Sequence, residues 1–180
     1  GDNPFTWNAT KYDVNGTLLW TWKNEEDVSI WFHLDEAVVG EDGSVVLAGG
    51  GQSSPQIFKI NAGGELEWET KGCEKNPGGL VMQGDGSLVV GGRTDGSTDD
   101  DGGDFMACIL DTNNNGAVVS TWKGGTKDYD TCDIAVLSDN DSVVLGGQTF
   151  GDWRSGESQG GRDFAAVKLG NNLTEIWRWQ

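Results

Sequence analysis

An acidic loop between residues 95 and 104 holds the densest group of side chains that could bind a metal ion. Its carboxylates at Asp99, Asp101 and Asp104 are set among glycines and small polar residues. Ca²⁺ prefers oxygen ligands in flexible segments of this kind. The same composition also suits a solvated loop without a ligand. The sequence therefore offers a calcium site at these three residues as one interpretation and a plain acidic loop as the other.

Side chains that could carry catalysis are sparse. His33 is the only histidine, and its neighbours Trp31, Phe32 and Leu34 favour a packed or interfacial residue. A histidine-based triad therefore has one candidate base and no partner that the sequence identifies. We predict no catalytic residues in this chain.

Two pairs of residues could contact a binding partner. Asp35 and Asp133 each begin a short apolar run, where a carboxylate could bind a cation or sugar hydroxyls, or accept backbone N–H groups at the start of a strand. Trp153 and Arg154 are adjacent in a glycine-rich loop. An exposed tryptophan beside an arginine suits contact with a protein or a glycan, although the loop could also fold back over the domain.

The three cysteines, Cys73, Cys108 and Cys132, match neither a metal cluster nor a dense disulfide framework. Cys108 lies inside an apolar run and is predicted to be an ordinary buried thiol. Cys73 and Cys132 occupy corresponding connections of successive repeats, so a bridge between them is one possibility. Such a bridge would be compatible with an oxidising compartment.

The chain is strongly acidic, with a net charge of −17 over 180 residues. Such a surface repels nucleic acid and anionic membranes, so neither is expected as a partner. There is no apolar run long enough for a transmembrane helix, so membrane insertion is not expected either. The chain also lacks an initiator methionine and a signal-peptide pattern, which suggests a processed protein or a piece of a longer one.

Two kinds of β-hairpin alternate along the sequence. The first has an Asp-Gly or Asn-Asp turn followed by a Val/Leu-rich run ending in Gly-Gly, and we name its strands A and B. The second has a polar, Gly-containing turn followed by tryptophan, and we name its strands C and D. The tryptophan positions of the second kind are Trp20/Trp22, Trp68/Thr70, Ser120/Trp122 and Trp177/Trp179.

The period of about 50 residues, with four short strands per repeat, predicts an all-β β-propeller. The repeat units span approximately 5–50, 56–94, 104–149 and 163–180, the last incomplete. Four C–D hairpins and three A–B hairpins make about three and a half four-stranded blades, which cannot close a ring. We therefore expect additional propeller strands from the rest of a longer chain or from another subunit.

Strand alternation sorts the connections onto two faces. The A–B and C–D turns share one face and the B–C and D–A loops share the other. The sequons at Asn15, Asn140 and Asn172 all fall in turns of the first face, where a glycan could project freely. The B–C loops vary in length and include Trp153 and Arg154, so a binding site is expected on the second face.

The Lys-Leu/Ile pair, the polar turn and the following tryptophan resemble the tryptophan-docking repeat of PQQ-like, or quinoprotein-type, β-propellers. The similarity spans essentially the whole chain. In that family the tryptophan packs between neighbouring blades, which implies packing roles for Trp20, Trp68, Trp122, Trp177 and Trp179. A catalytic quinoprotein would also need Ca²⁺ ligands, a carboxylate base and often adjacent cysteines, and no positions here match them.

The function expected from these observations is a non-enzymatic β-propeller scaffold that binds a protein or a glycan without a cofactor. An extracellular or luminal glycoprotein is the expected setting. One alternative is a fragment of a quinoprotein-like or hydrolase propeller enzyme whose catalytic residues lie elsewhere. Another is a structural subunit of a larger assembly.

Overall fold

The computed structural model describes residues 8–24, 33–50, 56–73, 77–94, 102–153 and 161–180. These residues form β-strands and one short 3-10 turn, Asp139–Asp141, so the predicted all-β class is confirmed. The strands are β1 (Asn8–Tyr12), β2 (Leu18–Lys23), β3 (His33–Val39), β4 (Val45–Gly50), β5 (Gln56–Ile60), β6 (Leu66–Thr70), β7 (Pro77–Met82), β8 (Leu88–Arg93), β9 (Phe105–Asp111), β10 (Ala117–Gly124), β11 (Asp130–Leu137), β12 (Val143–Thr149), β13 (Asp163–Leu169) and β14 (Glu175–Trp179). Within the described ranges, no helix is long and apolar enough to cross a membrane.

The strands assemble into one two-stranded and three four-stranded antiparallel sheets. Sheet 1 contains β1 and β2, sheet 2 contains β3 to β6, sheet 3 contains β7 to β10, and sheet 4 contains β11 to β14. Each four-stranded sheet keeps the order A, B, C, D in space, so consecutive strands are always neighbours. Among the described residues, sheet 1 consists of a single C–D hairpin.

The Asp-Gly-Ser signature forms the A–B turns of sheets 2 and 3. The Oδ1 atoms of Asp42 and Asp85 accept hydrogen bonds from the backbone N–H groups of Ser44 and Ser87, at 2.9 and 2.8 Å. The two serine hydroxyls donate to the same carboxylates, and these bonds hold the pKa of both aspartates below the usual range. The signature is therefore a side-chain-locked turn.

The tryptophan hairpins are equivalent in register as well as in sequence. Each has a β-bulge on strand D just after its turn, and the position paired with Trp20, Trp68, Ser120 or Trp177 lies on strand C. The paired residues are Lys11, Lys59, Ile109 and Lys168 respectively. The alignment predicted from the sequence thus corresponds to one repeated backbone geometry.

Successive sheets pack face to face, and the core is divided among the three seams between them. Trp22, Leu47 and Phe58 pack between sheets 1 and 2. Ile57, Trp68 and Leu110 belong to the cluster between sheets 2 and 3. The cluster between sheets 3 and 4 includes Phe105, Leu145, Val167 and Leu173. Alternate residues of strands B and C face opposite seams, which explains why these strands are apolar on both faces.

A tryptophan from one sheet packs on the C–D turn of the next sheet, and we call that turn, with its glycine, the tryptophan seat. The indole Nε1 of Trp20 donates to the carbonyl oxygen of Ala62, and that of Trp68 donates to Thr112, each at 3.0 Å. Gly64 and Gly116 lie beneath the rings, where an added Cβ would come within 2.6 and 2.8 Å of indole carbons. The packing role implied for Trp20 and Trp68 therefore depends on glycine in the neighbouring turn.

The seam between sheets 3 and 4 has different residues at the tryptophan and glycine positions. Ser120 replaces the tryptophan, and Leu173 replaces the glycine at the matching turn position of sheet 4. Leu173 keeps the left-handed backbone, with φ of +63°, and is buried in the seam. Trp122 also packs against this seam, so the large side chains have moved to neighbouring positions.

The cysteine pairing differs from the predicted one. Cys73 forms a disulfide with Cys108, with 6.1 Å between their Cα atoms, and Cys132 is a free buried thiol. The predicted Cys73–Cys132 bridge is wrong, as is the expectation that Cys108 is an unpaired thiol. Cys73 and Cys108 share the seam between sheets 2 and 3, whereas Cys132 lies in the next seam. Equivalent positions of stacked sheets are about 10 Å apart, too far for a bridge.

Candidate functional site

Asp35 and Asp133, singled out in the sequence, line one cavity of about 380 Å³, here named the A-strand pocket. It is formed where the A strands β3, β7 and β11 begin and where β8 ends, on the side of the B–C and D–A loops. The lining also includes Glu36, Gly78 and Arg93. The pocket therefore combines three carboxylates with one guanidinium group.

A β-bulge in each A strand positions the pocket residues. The pairing register shifts between Leu34 and Glu36 in β3, and likewise around Gly78 in β7 and Asp133 in β11. A bulge inserts one extra residue and redirects its side chain. Asp35, Gly78 and Asp133 are those extra residues, so they occupy equivalent positions in three successive sheets.

Gly78 occupies the central position because β7 approaches β11 closely. A Cβ added at Gly78 would lie 2.1 Å from the carbonyl oxygen of Cys132, a distance that no side chain tolerates. An aspartate at this position would therefore push the two strands apart. This contact explains the glycine in sheet 3.

A row of cationic and aromatic side chains continues from the pocket along the same loop side. The guanidinium carbon of Arg93 lies 4.9 Å from the ring centre of Tyr129, whose ring contacts Phe150 edge-on at 5.9 Å. Arg162 completes the row over Phe150 at 5.1 Å. Tyr129 and Phe150 are both exposed, so this arginine–aromatic row presents ring surface and charge to solvent.

Cys132 lines the pocket but is not an activated nucleophile. Burial, with a further contribution from Asp133, raises the pKa of its thiol to about 12. The thiol contacts the carbonyl oxygen of Ile134 at 3.5 Å. At neutral pH the thiolate form is negligible, so covalent catalysis by this cysteine is not supported.

Trp153 does not lie where the sequence suggested. Only 8% of its surface is exposed, so the expectation of an exposed contact residue is wrong. Its ring packs against Phe105 at 4.8 Å and beneath the Arg178 guanidinium at 5.4 Å. Its backbone N–H donates to Gln180. The loop start thus folds back over sheet 4, while Arg154 lies outside the described residues.

The predicted calcium ligands fall only partly within the described residues. Asp99 and Asp101 lie outside them, and Asp104 immediately precedes β9, where its backbone N–H donates to the Thr94 hydroxyl at 2.9 Å. Among the residues that the structure describes, no group of three histidine, cysteine or acidic side chains is arranged to hold a metal ion. The calcium site at the acidic loop stays a prediction.

The three sequons on turns are placed as the strand alternation predicts. Asn15 and Asn172 lie in the C–D turns of sheets 1 and 4, and Asn140 lies in the A–B turn of sheet 4. All three are exposed on the face opposite the A-strand pocket. Glycosylation of these three asparagines stays a prediction.

Comparison with known proteins leaves the family open. No family model and no curated protein matches the chain. Among solved structures that match is the crystal structure of a protein of unknown function from Bacteroides caccae. It is 14% identical, with a TM-score of 0.35, and the match covers 95% of this chain and 74% of that one.

Proposed function

We propose that this chain is part of a β-propeller, in which the four sheets are successive blades around an axis beside their A strands. The support is the A, B, C, D order of each complete sheet, the face-to-face seams, and the packing of β7 beside both β3 and β11. A radial array places the innermost strands of all blades next to one another. The pocket at the start of these strands would then open at one end of the axis.

We further propose that the chain is a non-enzymatic scaffold that binds a protein or a glycan at this end. The observation that carries the proposal is the convergence of Asp35, Asp133 and Arg93 on one cavity beside exposed aromatic rings. Carboxylate and guanidinium groups hydrogen-bond hydroxyl or amide groups, while the exposed parts of the Tyr129 and Phe150 rings offer apolar contact area. A rigid scaffold that presents loops at one end is the usual arrangement for recognition.

An extracellular or luminal setting accompanies this proposal. The Cys73–Cys108 disulfide supports it, because such bonds persist in oxidising compartments. The acidic surface and the exposed sequons are compatible with a secreted glycoprotein.

Glycan-array and peptide-array binding of the whole chain would test the proposed site. We expect Tyr129→Ala, and Asp35→Asn combined with Asp133→Asn, each to weaken binding at least about ten-fold, since each removes direct contacts. Glu69→Gln, an exposed carboxylate change on β6, is the matched control and is expected to bind normally. Equal binding by wild type and both site variants would contradict the proposal.

A further inference from the structure

The outer face of sheet 4 is an exposed apolar surface. Trp177 and Trp179 on β14 are 42% and 51% exposed, and Phe164 on β13 lies beside Trp179. Ile134 and Val136 continue the surface on β11 and are also exposed. A contiguous apolar face on a protein of this acidity indicates an interaction surface rather than a solvated one.

The equivalent face of sheet 2 is buried within this same chain. Val38, Val46 and Trp68 occupy the positions that correspond to Val136, Val144 and Trp177 in sheet 4, and they pack against sheet 3. Trp68 is only 7% exposed. Sheet 4 therefore carries a surface of the type that this fold covers with another sheet.

The tryptophan pair specifies what kind of sheet would cover it. Trp177 and Trp179 match Trp20 and Trp22 of sheet 1 in register. In sheet 1, Trp20 is seated on the Gly64 turn, and Trp22 packs against Phe58 with 5.3 Å between ring centres. The partner of the pair at Trp177 and Trp179 should therefore present a C–D turn with glycine at the same position.

Sheet 1 offers such a seat at the other end of the chain. Gly16 corresponds to Gly64, has φ of +81°, and an added Cβ there would meet no atom within 4 Å. Val14 corresponds to Ala62, whose carbonyl oxygen accepts the indole bond of Trp20. Thr10 and Tyr12 on the same hairpin face away from sheet 2 and are exposed. The exposed tryptophans of sheet 4 and the exposed glycine turn of sheet 1 are therefore the two halves of the contact that joins successive sheets within the chain.

We propose that the outer face of sheet 4 docks onto sheet 1 of a second copy of this chain. The Trp177 ring lies over Gly16 of that copy, and its Nε1 donates to the carbonyl oxygen of Val14. Two reciprocal contacts join two copies into a closed ring of eight sheets, six of four strands and two C–D hairpins. This closure rests on the proposed propeller, whereas the docking contact itself rests on the repeated tryptophan seat.

Light scattering with gel filtration on the unglycosylated 180-residue chain is the first measurement. We expect a dimer of twice the 19.3 kDa chain mass. Trp177→Ala and Gly16→Leu should each weaken self-association at least about ten-fold, because one removes the indole and the other fills its seat. Glu69→Gln, an exposed change on β6 of sheet 2, is the control and should leave the dimer unchanged.

Mixing the two defective variants distinguishes this contact from a symmetric one. Trp177→Ala retains an intact seat and Gly16→Leu retains an intact tryptophan, so the mixture should form a heterodimer that neither variant forms alone. Circular dichroism establishes that both variants are folded. A monomeric wild-type chain, or a dimer insensitive to Gly16→Leu, would overturn the docking proposal.

Two further outcomes separate the docking contact from the ring and from the proposed function. Higher oligomers that both variants abolish would support docking and overturn the eight-sheet closure. A monomeric chain that still binds ligand through Tyr129 would overturn docking and leave the proposed binding site standing. A chain that forms the dimer but binds nothing on the glycan and peptide arrays would overturn the proposed binding site and leave the docking contact standing.

Discussion

Burial in the seam between sheets 3 and 4 determines how the Cys132 thiol behaves. With a pKa of about 12, this thiol carries little thiolate at pH 8, and thiolate is the reactive form. We expect iodoacetamide to label the native chain at least about a hundred-fold more slowly than the chain in urea, since an unfolded cysteine has a pKa of about 8.5. Mass spectrometry would measure both rates.

The same labelling experiment also tests the disulfide. Without reductant, the unfolded chain should take up a single label, at Cys132, because Cys73 and Cys108 are paired. Rapid labelling of the native chain would contradict the burial of Cys132. Three labels without reductant would contradict the disulfide.

The residues of the A-strand pocket show what can be inferred one position at a time. Asp35 and Asp133 are identifiable from their place before apolar runs, and the structure brings both to one cavity. Arg93 and Tyr129 carry no local signal, because their proximity depends on how sheets 3 and 4 stack. Trp153 misleads because a glycine-rich loop gives no indication of whether it folds outward or onto sheet 4.

At the scale of the elements, the seam between sheets 3 and 4 allows a test of the tryptophan seat, because Ser120 and Leu173 stand there in place of tryptophan and glycine. Leu173→Gly alone should cost about 2–5 kcal/mol through a cavity, and Ser120→Trp alone about 1–3 kcal/mol through overpacking. The double variant places a tryptophan over a glycine, as in the other seams. We expect it to recover at least about 1 kcal/mol relative to the sum of the single changes, measured by urea denaturation.

The reverse exchange provides the matched control for that cycle. Trp68→Ser combined with Gly116→Leu recreates the sheet 3–sheet 4 pair in the seam between sheets 2 and 3. A favourable coupling is expected there as well. Strictly additive effects at both seams would show that the two positions do not share one space.

The hairpins themselves are predictable because turn chemistry and alternation are local. The serine two residues after Asp42 and after Asp85 identifies each of these turns from the sequence, and the tryptophan hairpins repeat in full register. The bulges at Asp35, Gly78 and Asp133 are not predictable in this way. A bulge arises from strand pairing across a sheet, which the spacing of apolar residues does not reveal.

At the scale of the whole molecule, the disulfide joins the two halves of the sheet array. It ties the end of sheet 2 to the middle of sheet 3 across 35 residues of sequence. Replacing Cys73 and Cys108 together by alanine should lower the free energy of unfolding by about 3–4 kcal/mol, the entropic value for a loop of that length. Urea denaturation would measure the change, and reduction of the wild-type chain should reproduce it. Equal stability before and after reduction would contradict a structural role for the bond.

The repeat predicts the number and order of the sheets but not which side chains meet between them. Stacking places Cys73 opposite Cys108 and separates it from Cys132 by one sheet, although the repeat positions alone suggest the other pairing. Contacts between stacked sheets depend on twist and offset, which sequence periodicity leaves open.

Asn15, the neighbour of Gly16, connects glycan attachment to the exposed turn of sheet 1. Asn15 is a sequon residue, so a branched sugar attached there would stand against the indole seat and keep a second copy away. Oligosaccharide attachment and self-assembly would then be mutually exclusive at one hairpin. A cell could set the ratio of single chains to assembled ones by how completely it modifies that asparagine.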